Sequence, residues 1–457
     1  MTVKFDLHKS QWTILGSLAE AERGGRRVGP SVQGVAPDQL DTLVTVLDLV
    51  RSGGARTRPE LARRSGLGRT VVSQRLGQLE AAGLVTEGDL GTSTGGRAPR
   101  ELRFRADAGV LLVASLGVTG FDAGVADLSG RLVDHRSRAW DIATGPEASL
   151  SRVESLFDEL LADRGAPAVW GVGLGVPGPV EFASGRPVAP PIMPGWDGYP
   201  VRDRLATRYD APAFVDNEVN LMALGEYRAG RGVGSPDLVL VKIGTGIGAG
   251  LISGGRLHRG AQGSAGDIGH VGLTGSVPGA EQVVCRCGNV GCLEAFAGGA
   301  ALARDATAAA LDNRGEHLTE RLAKAGEITS DDVVRAAEFG DRVAVELLSR
   351  AGRLVGDTVA AIVNFFNPST ILLGGRVGTS GDLLLAGVRQ SVYRRSLPLA
   401  TRDLQIARAS LGERAGPTGA GCMVVDELFG RDLLARWIPH GSPAGMPGLH
   451  PSSRADA

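Results

Sequence analysis

At 457 residues, with 43% apolar content and a formal net charge of −1, the chain can bury a sizeable core and should divide into two or three domains. No apolar run approaches the ~20 residues a membrane span needs, and the first residues lack the apolar segment of a secretory signal. With so few cysteines a reducing, cytoplasmic setting is expected, where thiols bind metal more readily than they form disulfides.

In chain order, residues 1–37 show only a short helical patch around Gln11–Ala21, followed by GGRR and GP punctuation; they read as a flexible leader. A small self-contained domain is predicted over 38–106. Its first helix is LDTLVTVLDLV, stopped by Gly53-Gly54, and a second, RPELARRS, opens near Pro59 and ends at Gly66. After Gly66-Leu67-Gly68, the helix RTVVSQRLGQLEAAG turns Val72, Leu76 and Leu79 to one face and Arg69, Thr70, Ser73 and Gln74 to the other. Helix, short turn, helix is the arrangement whose second helix enters a DNA major groove. The next stretch, LVTEGDLGTSTGGRAPRELRF, predicts two strands around a Gly-rich tip, a β-hairpin wing carrying Arg97 and Arg100 toward phosphate or a minor groove. Eleven Arg and no Lys against eight acidic residues make this domain only mildly basic. The DNA reading therefore rests on the polar helix face and the wing arginines, with a protein-interaction module as the alternative.

The remainder is α/β. Leu111–Gly117 and Phe121–Asp127 read as a strand hairpin, and Val169–Gly175, Leu238–Ile243 and Thr370–Leu373 are apolar strands ending in Gly-rich turns. Helices such as 300–311 and 341–364 alternate with them, which predicts two lobes, about 107–235 and 236–430, with a cleft between. The turn Gly244-Thr245-Gly246-Ile247-Gly248 can cradle an anion on its amides or be a plain tight turn. Residues 431–457, rich in Pro, Gly and Ser, read as a disordered tail.

One segment carries a strong chemical signal. His270, Cys285, Cys287 and Cys292 supply four soft-to-borderline ligands, with Gly288 and Gly291 letting the backbone fold round an ion. The ligand set predicts tetrahedral Zn²⁺, and with four protein ligands there is no open position for water, so the metal should be structural. The fourth cysteine, Cys422, reads as a small buried hydrophobe.

The stretch Gly266-Asp267-Ile268-Gly269-His270, followed by Cys285 to Glu294, resembles the ROK family of sugar kinases and sugar-responsive repressors over roughly Leu111 to Gly430. That resemblance implies a two-lobed actin-like (ribonuclease H-like) fold behind an N-terminal winged helix-turn-helix. It implies a monosaccharide or sugar-derivative effector held by Asn217, Glu218, Asp267, His270 and Glu294, with His270 serving both metal and sugar. Asp267 stands where the family usually has Glu. Two further departures lie on the kinase machinery. Ser115, in Ser115-Leu116-Gly117-Val118-Thr119, occupies the place of an Asp near Mg²⁺–ATP, and Glu218, in Asp216-Asn217-Glu218-Val219-Asn220, occupies that of the Asp base. A merely capping role for Asn217 and Glu218 is the alternative. The Asn that often precedes Trp196 in the kinases is also missing, and Trp196 itself is equally a sugar platform or a core residue. These features together predict a sugar-responsive transcriptional regulator without kinase activity, binding an inverted-repeat operator as a homodimer or homotetramer. The alternatives are an ATP-dependent sugar kinase fused to a DNA-binding domain, and a scaffold with a vestigial pocket.

Overall fold

The computed structural model describes residues 37–90, 100–275, 277–379 and 381–451. Three helices come first, α1 (Pro37–Arg51), α2 (Arg58–Ser65) and α3 (Arg69–Ala81). Leu40, Leu43, Leu47 and Val50 recur along one stripe of α1 and are buried. Thr57 caps α2 by accepting from the Glu60 amide, and Gly66 ends it in the left-handed region at φ 70. Val72, Leu76 and Leu79 of α3 complete this core. Arg75 is buried beside them and donates to Thr42 Oγ1 at 2.8 Å and Gln78 Oε1 at 3.0 Å, tying α3 to α1. β1 (Val85–Leu90) and β2 (Arg100–Phe104) pair antiparallel as the wing.

Lobe 1 contains β3 (Val110–Leu116), β4 (Gly120–Asp127), β5 (Leu132–Ala139), α4 (Pro146–Ala162), β6 (Val169–Val176), the short β7 (Val180–Glu181) and β8 (Arg186–Pro187), α5 (Val201–Tyr209), β9 (Ala213–Asn217) and α6 (Glu218–Ala229). Lobe 2 opens with β10 (Leu238–Ile243), β11 (Ile247–Ser253) and β12 (Arg256–Leu257). Helices α7 (Glu294–Ala297), α8 (Gly299–Leu311), α9 (Glu316–Ala325), α10 (Ser330–Glu338) and α11 (Arg342–Phe366) follow. The lobe closes with β13 (Thr370–Gly374), α12 (Gly375–Thr379), α13 (Asp382–Arg395), α14 (Pro398–Thr401), β14 (Gln405–Arg408) and α15 (Ala415–Leu428).

The two sheets repeat one plan. Their orders are β5-β4-β3-β6-β9 and β12-β11-β10-β13-β14, each with antiparallel pairing on the hairpin side of the central strand and parallel pairing on the other. The near-continuous apolar runs of β6, β10 and β13 follow from burial of such central strands on both faces. Both Gly-rich turns, after β3 and after β10, thereby occupy equivalent places in the two sheets.

The lobes also exchange their last helices: α6, which follows β9, packs on β10 and β11, and α15, which follows β14, packs on β3 and β6. The two helices cross at glycine. A Cβ on Gly419 would lie 1.7 Å from the Leu221 carbonyl oxygen, so no larger residue permits this approach. Fully buried Glu226 fastens the crossing, its carboxylate accepting from Ser410 N and Leu411 N at 2.6 Å each and from Arg231 N at 2.9 Å.

Two expectations are corrected and one open choice is decided. Residues 431–451 are not a disordered tail: α16 (Arg431–Trp437) follows α15, Trp437 and Leu449 are buried, and the Trp437 indole donates to Leu428 O at 2.7 Å. The apolar anchors outweigh the surrounding Pro, Gly and Ser. The small N-terminal domain is not self-contained, because its core runs without a break into lobe 1 through Phe429, Leu433 and Trp437. Trp196 is a core residue, fully buried, its indole 3.4 Å from the Ile142 carbonyl oxygen, so it is no sugar platform. Cys422 does pack partly buried against the same core, and desolvation pushes its thiol up to about 12. Among the described residues no helix is long and apolar enough to cross a membrane.

Candidate functional site

The loop between β12 and α7 gathers the four metal-ligating side chains. One ligand atom from each of His270, Cys285, Cys287 and Cys292 lies within 4.8 Å of all the others. Cys285 Sγ is 3.7 Å from His270 Nδ1, and Cys287 Sγ is 3.8 Å from Cys292 Sγ. The loop is held by local bonds, Cys285 N to Asn289 O at 2.7 Å and Gly288 N to Cys285 O at 3.0 Å, with isolated bridges between Gly272 and Cys292 and between Val284 and Val290. Burial pushes the Cys285 thiol up and the Cys292 thiol up to about 12. A bound cation would supply the charge that offsets this desolvation. These residues can hold a metal ion.

The same imidazole also faces a carboxylate. With Nδ1 directed at Cys285, His270 Nε2 lies 3.8 Å from Asp267 Oδ1 on the exposed side of the loop. Glu294, two residues after Cys292, accepts from Ile247 N at 3.0 Å and is thereby fixed to the glycine turn. A Cβ on Gly246 would stand 2.2 Å from Glu294 Oε2, which is why that position is glycine.

On the lobe 1 side the β9–α6 corner presents Asp216, Asn217 and Glu218. Asn217 is the N-cap of α6: its Oδ1 accepts from Val219 N and Asn220 N, and its Nδ2 donates to Gly178 O at 2.9 Å. The capping alternative describes Asn217, which leaves at most one amide N–H for a ligand. Glu218 is not a cap. It is buried, and Oε1 accepts from Lys242 Nζ on β10 at 2.8 Å while Oε2 is buried without a partner among the described residues. Asp216, also buried, accepts from Arg259 Nε at 2.7 Å and Asn220 Nδ2 at 2.8 Å, and the Arg259 guanidinium lies 3.8 Å from the Phe182 ring centroid.

The start of β11 joins both sides. Its Ile247 amide binds Glu294, its Gly248 pairs with Lys242 and lies against Val219 next to Glu218, and its Ala249 bonds to Gly266 just before Asp267. Glu218, Asp267, His270 and Glu294 therefore surround one short segment. Lys242 and Arg259 had no signal of their own in the sequence, since nothing local marks a residue paired with a distant segment.

The turn after β3 differs. Ser115 is buried, facing the start of α15, where a Cβ on Gly416 would stand 2.3 Å from its Oγ. On the N-terminal domain, Arg69, Thr70, Ser73 and Gln74 are all exposed along α3. Arg100 lies on β2 with its side chain 64% exposed and its Nε 3.9 Å from Glu87. Arg97 falls outside the described residues.

Comparison with known proteins agrees with this architecture. The sequence profile of the ROK family matches residues 112–427. The xylose repressor of Caldicellulosiruptor bescii is 30% identical over 406 residues, 86% of this chain and 96% of that protein. Among solved structures, a ROK family transcriptional regulator, homolog of E. coli MLC protein, superposes with a TM-score of 0.75 at 25% identity, covering 88% of this chain and 99% of that one. A ROK family glucokinase from Streptomyces griseus, in complex with glucose and AMPPNP, gives a TM-score of 0.60 at 30% identity over 69% of this chain and 99% of that one. With a family match across more than half of its length and two exchanged-helix lobes behind a winged helix, the chain belongs to the ROK family.

Proposed function

We propose that this protein is a sugar-responsive transcriptional repressor that binds operator DNA through its winged helix and a monosaccharide in the inter-lobe cleft. The observation that carries this reading is the apolar core that runs from the winged helix into lobe 1, making the DNA-binding face and the cleft parts of one body. The repressor relative matches over 406 residues, longer than the family region 112–427, whereas the glucokinase match covers 69% of the chain. In this reading Arg69, Thr70, Ser73 and Gln74 face base edges, Arg97 and Arg100 face the backbone, and two subunits meet an inverted repeat about one helical turn apart.

The metal is Zn²⁺ in this reading. Bonds of about 2.3 Å to sulfur and 2.0–2.1 Å to nitrogen give a tetrahedron edges of roughly 3.6–3.8 Å, the range in which the His270–Cys285 and Cys287–Cys292 separations of 3.7 and 3.8 Å fall. His270, Cys285, Cys287 and Cys292 would hold the ion, whose contribution is to fix the loop. His270 Nε2, Asp267, Glu294 and Glu218 then offer hydrogen-bonding groups to sugar hydroxyls.

Phosphoryl transfer is not expected. The base position holds Glu218, one methylene longer than the Asp of the kinases, and a misplacement of about 1 Å can cost a hundredfold in rate. Ser115 provides no carboxylate for a hard cation. The kinase alternative keeps one feature, the intact turn Gly244–Gly248. One preparation decides between them, assayed for ATP-dependent sugar phosphorylation and, by gel shift, for operator binding with and without sugar. Phosphorylation should stay at background, sugar should change operator affinity about tenfold, and Glu218→Ala should abolish that change. Robust phosphate ester formation with sugar-indifferent DNA binding would establish the kinase.

A further inference from the structure

Two cations of lobe 2 reach across to two adjacent carboxylates of lobe 1. Lys242 Nζ meets Glu218 Oε1 at 2.8 Å, and Arg259 Nε meets Asp216 Oδ2 at 2.7 Å. The carboxylate side chains are 8% and 3% exposed, the cations 20% and 24%. Both carboxylates belong to one corner, where β9 becomes α6. The cations come from the central strand of the opposite sheet and from the segment after its hairpin. Beyond Arg259 the backbone closes against lobe 1, where a Cβ on Gly263 would stand 2.3 Å from Val180 O.

We propose that Lys242 and Arg259 are positioning residues of the effector site, a two-point clasp that fastens the β9–α6 corner to lobe 2. Lys242 holds Glu218 so that Oε2 is the free acceptor for a ligand hydroxyl. Three observations carry this. Each pair is buried on its carboxylate side, where removing one partner leaves an uncompensated charge rather than a solvated one. Arg259 is oriented independently by the Phe182 ring, so its bond to Asp216 is not an incidental surface contact. Glu218 Oε2 is buried with no donor among the described residues, and an acceptor in that state is completed by a hydroxyl or amine and not by an acceptor-only anion. The clasp thus selects an unphosphorylated hydroxyl donor at this position, and it makes the residue at the base position a fixed acceptor. This inference rests on the sugar-sensing reading for its ligand, but not for the clasp.

The test uses the full chain, its metal content measured as a control on the fold. Hydrogen exchange followed by mass spectrometry, without sugar, should show loop 258–266 exchanging at least about threefold faster in the Lys242→Met, Arg259→Gln double variant; unchanged exchange overturns the clasp. Calorimetry with D-xylose and D-glucose tests positioning. Lys242→Met should weaken binding of whichever sugar the parent takes by about tenfold or more, and Lys242→Arg should restore most of it. Parental affinity in Lys242→Met, or no rescue by Lys242→Arg, overturns the role of Lys242. If the parent binds neither sugar, the sugar reading fails while the exchange measurement still decides the clasp.

Discussion

Asp122 lies opposite Ser115 in the β3–β4 ladder and accepts from Ser137 Oγ at 2.5 Å. Burial, reinforced by the nearby Glu413 carboxylate, pushes its acid up from 3.8 to about 6. The folded value lies above the unfolded one, so the folded state binds the extra proton. Below about pH 4 both states are protonated and nothing is lost; stability then falls as pH rises to about 6, and the full penalty remains above it. Asp122→Asn keeps an acceptor for Ser137 and removes the charge. It should raise stability by about 1–3 kcal/mol at pH 7.5 and by almost nothing below pH 4, read from urea denaturation at both pH values. A variant less stable than the parent at pH 7.5 would refute the burial penalty. At this scale the sequence was informative where chemistry is local. Cys285, Cys287 and Cys292 announce themselves because eight residues hold all three. Glu226 does not, because its partner Ser410 is 184 residues away, and Lys242 and Arg259 were unreadable for the same reason.

Among the elements, periodicity and glycine punctuation located the three N-terminal helices, the wing and the main strands, since each buries a stripe or a whole strand that its own residues reveal. Composition misled at the end of the chain. The Pro-, Gly- and Ser-rich segment after Gly430 reads as disorder, yet three aromatic contacts organise α16. Trp437 meets Trp170 at 5.6 Å and Phe429 at 6.0 Å, and Phe429 meets Phe104 at 5.9 Å edge-on. A few large anchors spaced among small residues suffice to order a segment when the cavity for them is supplied elsewhere, here by β6 and the winged helix. Trp437→Ala should therefore cost about 3–5 kcal/mol, visible as a lower urea midpoint at unchanged slope. A loss below about 1 kcal/mol would mean that α16 is merely appended.

At the scale of the whole molecule, the exchanged helices make lobe closure and winged-helix placement one problem. Helix α6 starts at the β9–α6 corner and crosses α15 at Gly419; α15 is capped by Phe429, which the winged helix grips from two sides. Phe104 packs on the ring edge-on, Arg51 sits 5.9 Å from its centroid, and Asp41 pairs with Arg431 at 3.2 Å just beyond. A sugar that favours one inter-lobe angle can change operator affinity only through an element that both sites bias, and the α15–α16 elbow is one such contact. Phe429→Leu retains apolar volume while removing the ring that Phe104 and Arg51 engage. Sugar affinity should stay within about threefold of the parent, since the cleft residues are untouched, while the sugar-induced change in operator affinity should shrink from about tenfold toward unity. Calorimetry for the sugar and gel-shift titration for the operator, run on the same preparations, give both numbers. By reciprocity, operator DNA must then also lose its effect on sugar affinity. Retention of the full sugar effect in Phe429→Leu would place the coupling outside this elbow.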